Sequence, residues 1–326
     1  MTAILRRRTD FCRAETVLIS LTQVTCPVRS AVGDLRHAVL RKQGVPTGTA
    51  EPRHLRGTTM ADTVLYEVSD GLATITLNRP EAMNAMNIAT KVAFRDAART
   101  AADDEAVRAI LLTAAGDRAF CVGQDLKEHI GLLASDKQSG SGQTMSTVRE
   151  HYNPIVRALT GAAKPVVAAV NGVAAGAGFG FALAADYRIV ADTAAFNTSF
   201  AGVALTADSG ISWTLPRVIG PSRAADLLLF PRSITAQEAY EWGIANRVVP
   251  AAELRAEAQK VARSLAEGPT VAYAALKESL AYGLSHTLDE TLEKEDELQA
   301  RAGASEDHGI AVQAFVNKEK PKYLGR

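Results

Sequence analysis

Only three cysteines occur in the 326 residues, Cys12, Cys26 and Cys121, and their spacing fits no metal-ligand pattern. An odd, scattered set of thiols builds no disulfide framework and points to a reducing compartment, so a cytoplasmic location is expected. Long apolar runs are also missing. Val166–Val170 and Phe179–Ala185 are core-sized and fall far short of the roughly 18 residues of a membrane-spanning helix. There is no excess of charge either, with 36 basic and 36 acidic side chains, but the balance is uneven. Residues 1–59 hold ten cations against four acids, a net +6, so the rest of the chain carries −6. That remainder lacks the basic surface expected of a nucleic-acid-binding domain, and neither nucleic acid nor membrane is expected as a partner. What is present, 47% apolar and 22% charged residues, is the balance of a globular protein with one large domain or two ordinary ones.

The first 59 residues have no sustained period. They contain Arg6-Arg7-Arg8, the apolar run Thr16–Val28 and the Gly/Pro/Thr-rich stretch Gly44–Thr59. As a signal peptide the segment is interrupted by Asp10 and Glu15 and lacks an A-x-A-like site; as a transit peptide it holds four acids too many. It reads as a disordered extension, or as sequence upstream of a true start at Met60.

After Thr63 the pattern becomes regular. Val64–Val68 and Leu72–Leu77 read as strands around Ser69-Asp70-Gly71, and Asn87 as the cap of a helix reaching about Ala102. Ala109–Thr113, Val166–Val170 and Tyr187–Ala191 read as buried strands, with an Ala-rich helix over about Ala177–Ala185. Strands alternating with helices predict an α/β fold with much parallel sheet. Ser135–Thr144 reads as a flexible loop over a pocket. From Ala251 the strands cease, and Ala251–Ala266, Thr270–Tyr282 and Thr287–Ala302 read as amphipathic helices whose apolar faces need a partner.

Two segments carry glycine where a strand meets a helix: Phe120-Cys121-Val122-Gly123-Gln124-Asp125-Leu126 and Asn171-Gly172-Val173-Ala174-Ala175-Gly176-Ala177-Gly178-Phe179-Gly180. Each leaves unpaired N–H groups at a helix entry, where the dipole favours an anion. Two such groups converging would form an oxyanion hole, each donor contributing about 2.7–4 kcal/mol of transition-state stabilisation. A thioester carbonyl needs this when the adjacent carbon loses a proton. Either segment alone reads equally well as a tight turn with no ligand. A dinucleotide-binding loop fits the second poorly, since its glycines follow G-x-G-x-G and not G-x-G-x-x-G.

Taken together with Asn78-Arg79-Pro80-Glu81-Ala82-Met83-Asn84-Ala85-Met86-Asn87, the catalytic-looking stretch Phe196–Gly210 with Leu215-Pro216-Arg217, and Gly243–Pro250, these segments resemble the enoyl-CoA hydratase/isomerase (crotonase) family over about Thr63–Arg326. The resemblance implies a spiral of ββα turns over 60–250 and a helical C-terminal region, 251–326, that forms a homotrimer or a dimer of trimers. It implies an acyl-CoA substrate and no cofactor beyond the coenzyme A that the substrate carries. Position by position, it puts the oxyanion donors at the backbone N–H of Gln124 and Ala177. It puts coenzyme A contacts at Met83, Ala85, Cys121, Val122, Gly123, Asp125 and Gly176, with Lys318, Lys320 and Lys322 reaching its phosphates; a solvated basic tail explains those lysines equally well.

The hydratases of the family use two glutamates, and both positions are empty of carboxylate here, being Gly180 and Phe200. Asp208 instead occupies the position of the lone acid in family isomerases, including those resembling the ring-epoxide isomerase of phenylacetyl-CoA breakdown. One carboxylate suits a 1,3-proton shift, because it can remove a proton and return it elsewhere along the enolate. Its ordinary pKa of about 3.9 is low for that work, and an apolar pocket formed from Phe196, Phe200, Ile211 and Trp213 would raise it. The alternative is an Asx turn or helix cap before Gly210. Asp125 reads as a helix N-terminal acid, Glu128 as a first-turn charge, His129 and His151 as structural or solvated, Cys121 as a small buried hydrophobe, and Trp213 and Trp242 as core. The expected activity is double-bond isomerisation rather than hydration. Hydration in fatty-acid or aromatic-acid breakdown, a non-catalytic binding protein on the same scaffold, and a nicotinamide-dependent enzyme are the alternatives.

Overall fold

The computed structural model describes residues 62–140 and 143–326, so the readings made for residues 1–59 lie outside the described residues. The described chain opens with an antiparallel hairpin of β1 (Val64–Ser69) and β2 (Leu72–Leu77), in register from Val64 opposite Leu77 to Ser69 opposite Leu72. Asp70 and Gly71 both take positive φ, 51° and 76°, as a two-residue turn between twisted strands demands. The Asn87 side chain then accepts the Thr90 N–H and starts α1 (Ile88–Asp103), which buries Lys91, Phe94, Ala98 and Ala101 on one face.

From here a long strand, a short strand and a helix recur. The first turn is β3 (Ala109–Ala114), β4 (Ala119–Cys121) and α2 (Leu126–Ser139), followed through a π-helical turn at Val148–Tyr152 by α3 (Asn153–Gly161). The second is β5 (Val166–Val170), β6 (Val173–Ala175) and α4 (Ala177–Leu183). The third is β7 (Tyr187–Ala191), β8 (Ala195–Asn197) and the pair α5 (Ile211–Ile219) and α6 (Pro221–Leu229). Then β9 (Ile234–Thr235), α7 (Ala236–Glu241) and β10 (Arg247–Val249) complete the sheets.

The long strands form one sheet of order β1-β2-β3-β5-β7-β10, parallel from β2 onward. The short strands form a second, β4-β6-β8-β9, parallel except at β9. Each passage from the first sheet to the second and back shifts the chain by one strand, which is the expected α/β spiral of ββα turns. All five residues of β5 are buried, because helices cover the parallel sheet. One of these is α8 (Leu254–Ala266), which lays Leu254, Ala258, Ala262 and Ala266, one residue per turn, onto β3, β5 and β7. Beyond it lie α9 (Thr270–Gly283), α10 (Leu288–Gly303) and α11 (Glu306–Asn317). No helix among the described residues is long and apolar enough to cross a membrane.

Two expectations are corrected. The stretch read as a flexible loop from Ser135 is helical through Ser139: Lys137 and Gln138 are good helix formers, and Gly140, at φ 70°, ends the helix with its N–H on the Asp136 carbonyl. Trp213 is not core. It is 47% exposed, with the Arg217 guanidinium 4.1 Å from its ring centre, whereas Trp242 does pack partly against the core.

Candidate active site

The two glycine segments meet. A Cβ on Gly123 would sit 3.1 Å from the Ala175 carbonyl oxygen and 3.2 Å from the Ala177 nitrogen, tighter than ordinary contacts, and its φ of 80° is one that favours glycine. Gly178 is pressed still harder onto the Cys121 carbonyl, where no side chain fits. The amides of interest lie at this contact. Met86 donates its N–H to the Gly123 carbonyl at 2.7 Å and accepts the Asp125 N–H at 3.1 Å. Gln124 lies between these two bonds, so its own N–H faces away from Met86. Ala177 is the first residue of α4, where no preceding turn exists to accept its N–H. Among the described residues neither amide donates to a protein acceptor. Two adjacent free donors at a helix entry form an arrangement that can hold a developing oxyanion.

The loop before α1 is keyed to this corner. Met83 and Asn84 both take left-handed conformations, with φ of 53° and 54°. Buried Asn84 repays the strain: its Oδ1 accepts the Arg79 N–H, and its Nδ2 donates to the carbonyls of Ala115 and Ala119. Arg79 Nη1 donates to the Ala85 carbonyl at 2.6 Å and to Asp125 Oδ2 at 2.9 Å. Asp125 Oδ1 caps α2 by accepting the N–H groups of Lys127 and Glu128. Burial raises the Asp125 carboxyl, but Arg79 and the two amides outweigh it and leave its pKa below the ordinary value. The carboxylate is therefore held by the protein, in agreement with its reading as a helix N-terminal acid. Glu128 is more than a first-turn charge, since both its oxygens accept the Ile88 N–H at the start of α1.

Asp208 lies half-buried in the loop before α5 and accepts one hydrogen bond, from the Ser209 hydroxyl at 2.8 Å. It caps nothing: Gly210 is the N-cap of α5, and the Ile211 N–H goes to the Asp208 main-chain carbonyl. Among the described residues no cation lies within ion-pair distance. Burial raises its pKa above the carboxylate norm, with the Ser209 bond and the charge of Lys91 pulling the other way. Of the expected apolar neighbours, Phe196, Phe200 and Ile211 are buried and Trp213 is not.

The sequence left two neighbours without a chemical role. Tyr152, on the π-helical turn, is buried and donates its hydroxyl to Gln124 Oε1 at 2.8 Å; burial first, then Asp208, pushes its pKa up. Lys91 is 1% exposed, with its ammonium 5.5 Å from the Tyr152 ring centre. Its position was legible in principle: Lys91 falls in the same helical stripe as Phe94, Ala98 and Ala101, where apolar residues belong. Cys121 is wholly buried, and burial holds its thiol at about 12, so no thiolate forms there near neutrality. Met83 and Val122 are half-buried, while Ala85, Gly123 and Gly176 are buried around the same corner. Lys318 caps the C-terminus of α11, donating its backbone N–H to the Ala314 and Phe315 carbonyls, and Lys320 and Lys322 follow beyond it. A cavity of about 1090 Å³ lies elsewhere, lined by Arg108, Lys164, Thr270, Lys277, Glu278 and Arg301 among others, and contains none of these groups.

The spiral of ββα turns and the glycine corner with its free amides define a crotonase-type scaffold. The chain is an enzyme of the enoyl-CoA hydratase/isomerase family, whose sequence profile matches residues 67–326. It is 42% identical over 265 residues to a Rhodobacter capsulatus protein named "Probable enoyl-CoA hydratase", covering 81% of this chain and 98% of that one. It is 38% identical over 267 residues to the 1,2-epoxyphenylacetyl-CoA isomerase of Escherichia coli, covering 82% and 100% respectively. A crystal structure of an enoyl-CoA hydratase/isomerase from Mycobacterium abscessus superposes with a TM-score of 0.77 at 45% identity, over 81% of this chain and all of the other.

Proposed function

We propose that the protein isomerises the double bond of an enoyl-CoA thioester, with hydration at most a minor activity. The observation that carries this reading is the half-buried carboxylate of Asp208, which has no cation within ion-pair distance among the described residues and whose charge acts on Tyr152, the hydrogen-bond partner of Gln124, with no acid at position 180 or 200. The N–H groups of Gln124 and Ala177 donate to the thioester oxygen as negative charge develops on it. Asp208 removes a proton from the carbon next to the thioester, or from the γ-carbon in the reverse direction, and returns it two carbons along the dienolate. No water is consumed and no cofactor is needed beyond the coenzyme A of the substrate. The raised pKa of Asp208 makes it a stronger base than a solvated carboxylate. The loop 83–85 and the segment 121–123 flank the coenzyme A portion, and the C-terminal lysines meet its phosphates.

Turnover of paired 2-enoyl-CoA and 3-enoyl-CoA thioesters by the wild type and by Asp208→Asn tests this reading. Double-bond migration in the wild type that falls at least about a hundredfold in the variant, with the fold retained, is the expected result. The acid limb of the wild-type pH profile is expected above the ordinary carboxylate range, because Asp208 acts only when deprotonated. Hydration retained in full by Asp208→Asn would overturn the assignment.

A further inference from the structure

Tyr152 touches both of the elements that carry the free amides. Its hydroxyl donates to Gln124 Oε1 at 2.8 Å, and its ring meets Phe181 of α4 in a T-shaped contact with centroids 5.7 Å apart. Gln124 supplies one amide, and Ala177, the first residue of α4, supplies the other. The ring has little freedom. It is 2% exposed, Phe181 is itself packed edge-on with Phe94 at 5.3 Å, and the Lys91 ammonium lies 5.5 Å from the ring centre.

The placement begins with Pro154. Residues 147–161 run as one helix, and a proline inside a helix has no N–H to give and crowds the carbonyl four residues back, here that of Glu150. The turn before it widens to π geometry, in which the Asn153 N–H passes over Arg149 and reaches the Val148 carbonyl, five residues back. Such turns are rare and occur mostly at functional sites. Tyr152 stays in phase with Ile155 and Leu159, the buried residues of α3, so its ring enters the core and its hydroxyl meets the corner.

On the other side of the bond, Met86 holds the Gly123 carbonyl before Gln124 and the Asp125 amide after it. The Gln124 side chain is the remaining handle on that peptide. Its Nε2 has a long contact of 3.4 Å to the Asp125 carbonyl, so among the described residues the Tyr152 hydroxyl makes its one short bond. Burial first, then Asp208, raises the Tyr152 pKa, and a phenol that stays protonated donates at every working pH.

We propose that Tyr152 is a positioning residue of the oxyanion hole: braced on α4 by its ring and holding Gln124 by its hydroxyl, it fixes the spacing of the Gln124 and Ala177 amides. The inference rests on reading those two amides as oxyanion donors. Spacing matters because donors aimed in advance need no reorganisation as charge develops, and a misplacement of about 1 Å costs up to about a hundredfold in rate.

The test is a double-mutant cycle. Tyr152→Phe keeps the ring and removes only the hydroxyl, and Gln124→Met keeps the backbone amide and removes the acceptor. Isomerisation of a 3-enoyl-CoA thioester is measured in the wild type, in each variant and in the pair. Each single variant is expected to lose about tenfold in kcat with KM moved less than about twofold, the pattern of an interaction felt in the transition state. The pair should lose no more than either alone, because both changes break the same bond. Additive losses, or a loss carried by KM alone, overturn the proposal. Difference infrared spectra of bound butyryl-CoA, isotope-labelled at the thioester carbonyl, read the hole without turnover. The wild type should lower the carbonyl stretching frequency below its value in water, and Tyr152→Phe should reverse part of that shift. An equal shift in both proteins overturns the role of Tyr152 and leaves the oxyanion reading intact. A wild-type carbonyl at its frequency in water sinks the oxyanion reading, and the role of Tyr152 falls with it.

Discussion

At position 180 the missing side chain has a physical cause. A Cβ on Gly180 would lie 2.5 Å from the Ser209 Cβ and 2.7 Å from the Ser209 carbonyl oxygen, distances that real atoms do not reach. Ser209 cannot easily retreat: it is 2% exposed and already held at φ 52°, a conformation that costs a non-glycine residue about 1–2 kcal/mol. Restoring a hydratase glutamate at this place would therefore push the loop that carries Asp208 before it supplied a second acid. Gly180→Ala isolates the effect. It should destabilise the protein by about 1–3 kcal/mol through overpacking, and lower isomerisation at least about tenfold by displacing the neighbour of Asp208. Thermal melting and kcat/KM on the same preparation check both halves; wild-type turnover in Gly180→Ala would mean that the loop yields freely. The absence of acids at 180 and 200 was legible in the sequence. The reason for it was not, because Gly180 and Ser209 meet only in three dimensions. The same holds for Asp208, whose position next to Gly210 suggested a cap equally well until the main chain showed Gly210 capping α5 alone.

At the scale of elements, local signals read well and long-range partners did not. Asn87 caps its helix as its sequence position suggests, since capping needs only a side-chain oxygen and an amide two or three residues on, and Thr287 caps α10 in the same way. Asp125 was readable as a cap for the same reason. Its bond to Arg79, 46 positions earlier, was not, and it is this bond that ties the loop at 79–85 to the start of α2. The misreading of Ser135–Ser139 has the opposite origin: polar, small residues suggested a loop, but the preceding turns of α2 propagate through them. Asp125→Asn should cost about 1–3 kcal/mol at pH 7, the usual range for losing hydrogen bonds to a charged group, and should raise KM more than it lowers kcat. The sign of its pH dependence follows from the depressed carboxyl pKa. The contribution is fully present above the unfolded value of about 4 and disappears as pH falls through the lower folded value. Melting curves of the wild type and the variant should therefore converge in acid, and curves that stay apart down to about pH 2 would mean that the ionised carboxylate is not the source of the stability.

The whole molecule was legible in its alternation of strands and helices, because buried parallel strands and amphipathic helices carry strong periods. The division into two sheets was harder to see, as β4, β6 and β8 are three residues long and leave almost no pattern. The unmet need of the C-terminal helices was visible from the start and persists in the fold. On α9, Lys277 reaches inward to the Leu159 carbonyl and to Asp186, which fixes that face against the core. Leu276 and Leu280 on α9, Leu284 at its C-cap and Leu288 at the start of α10 are 60%, 74%, 53% and 73% exposed. Four exposed leucines over thirteen residues around the α9–α10 junction exceed what a monomer scatters singly over its surface, and burying each would contribute about 1.5–3 kcal/mol. A second copy of the chain is the partner that the family resemblance implies, as a trimer or a dimer of trimers. Leu280→Asp combined with Leu288→Asp places two charges at the centre of that contact, where desolvation outweighs any remaining apolar gain. The wild type should sediment as an oligomer and the double variant as a single chain with its α/β circular dichroism retained. A wild type that sediments as a monomer, with these leucines in water, would refute subunit association.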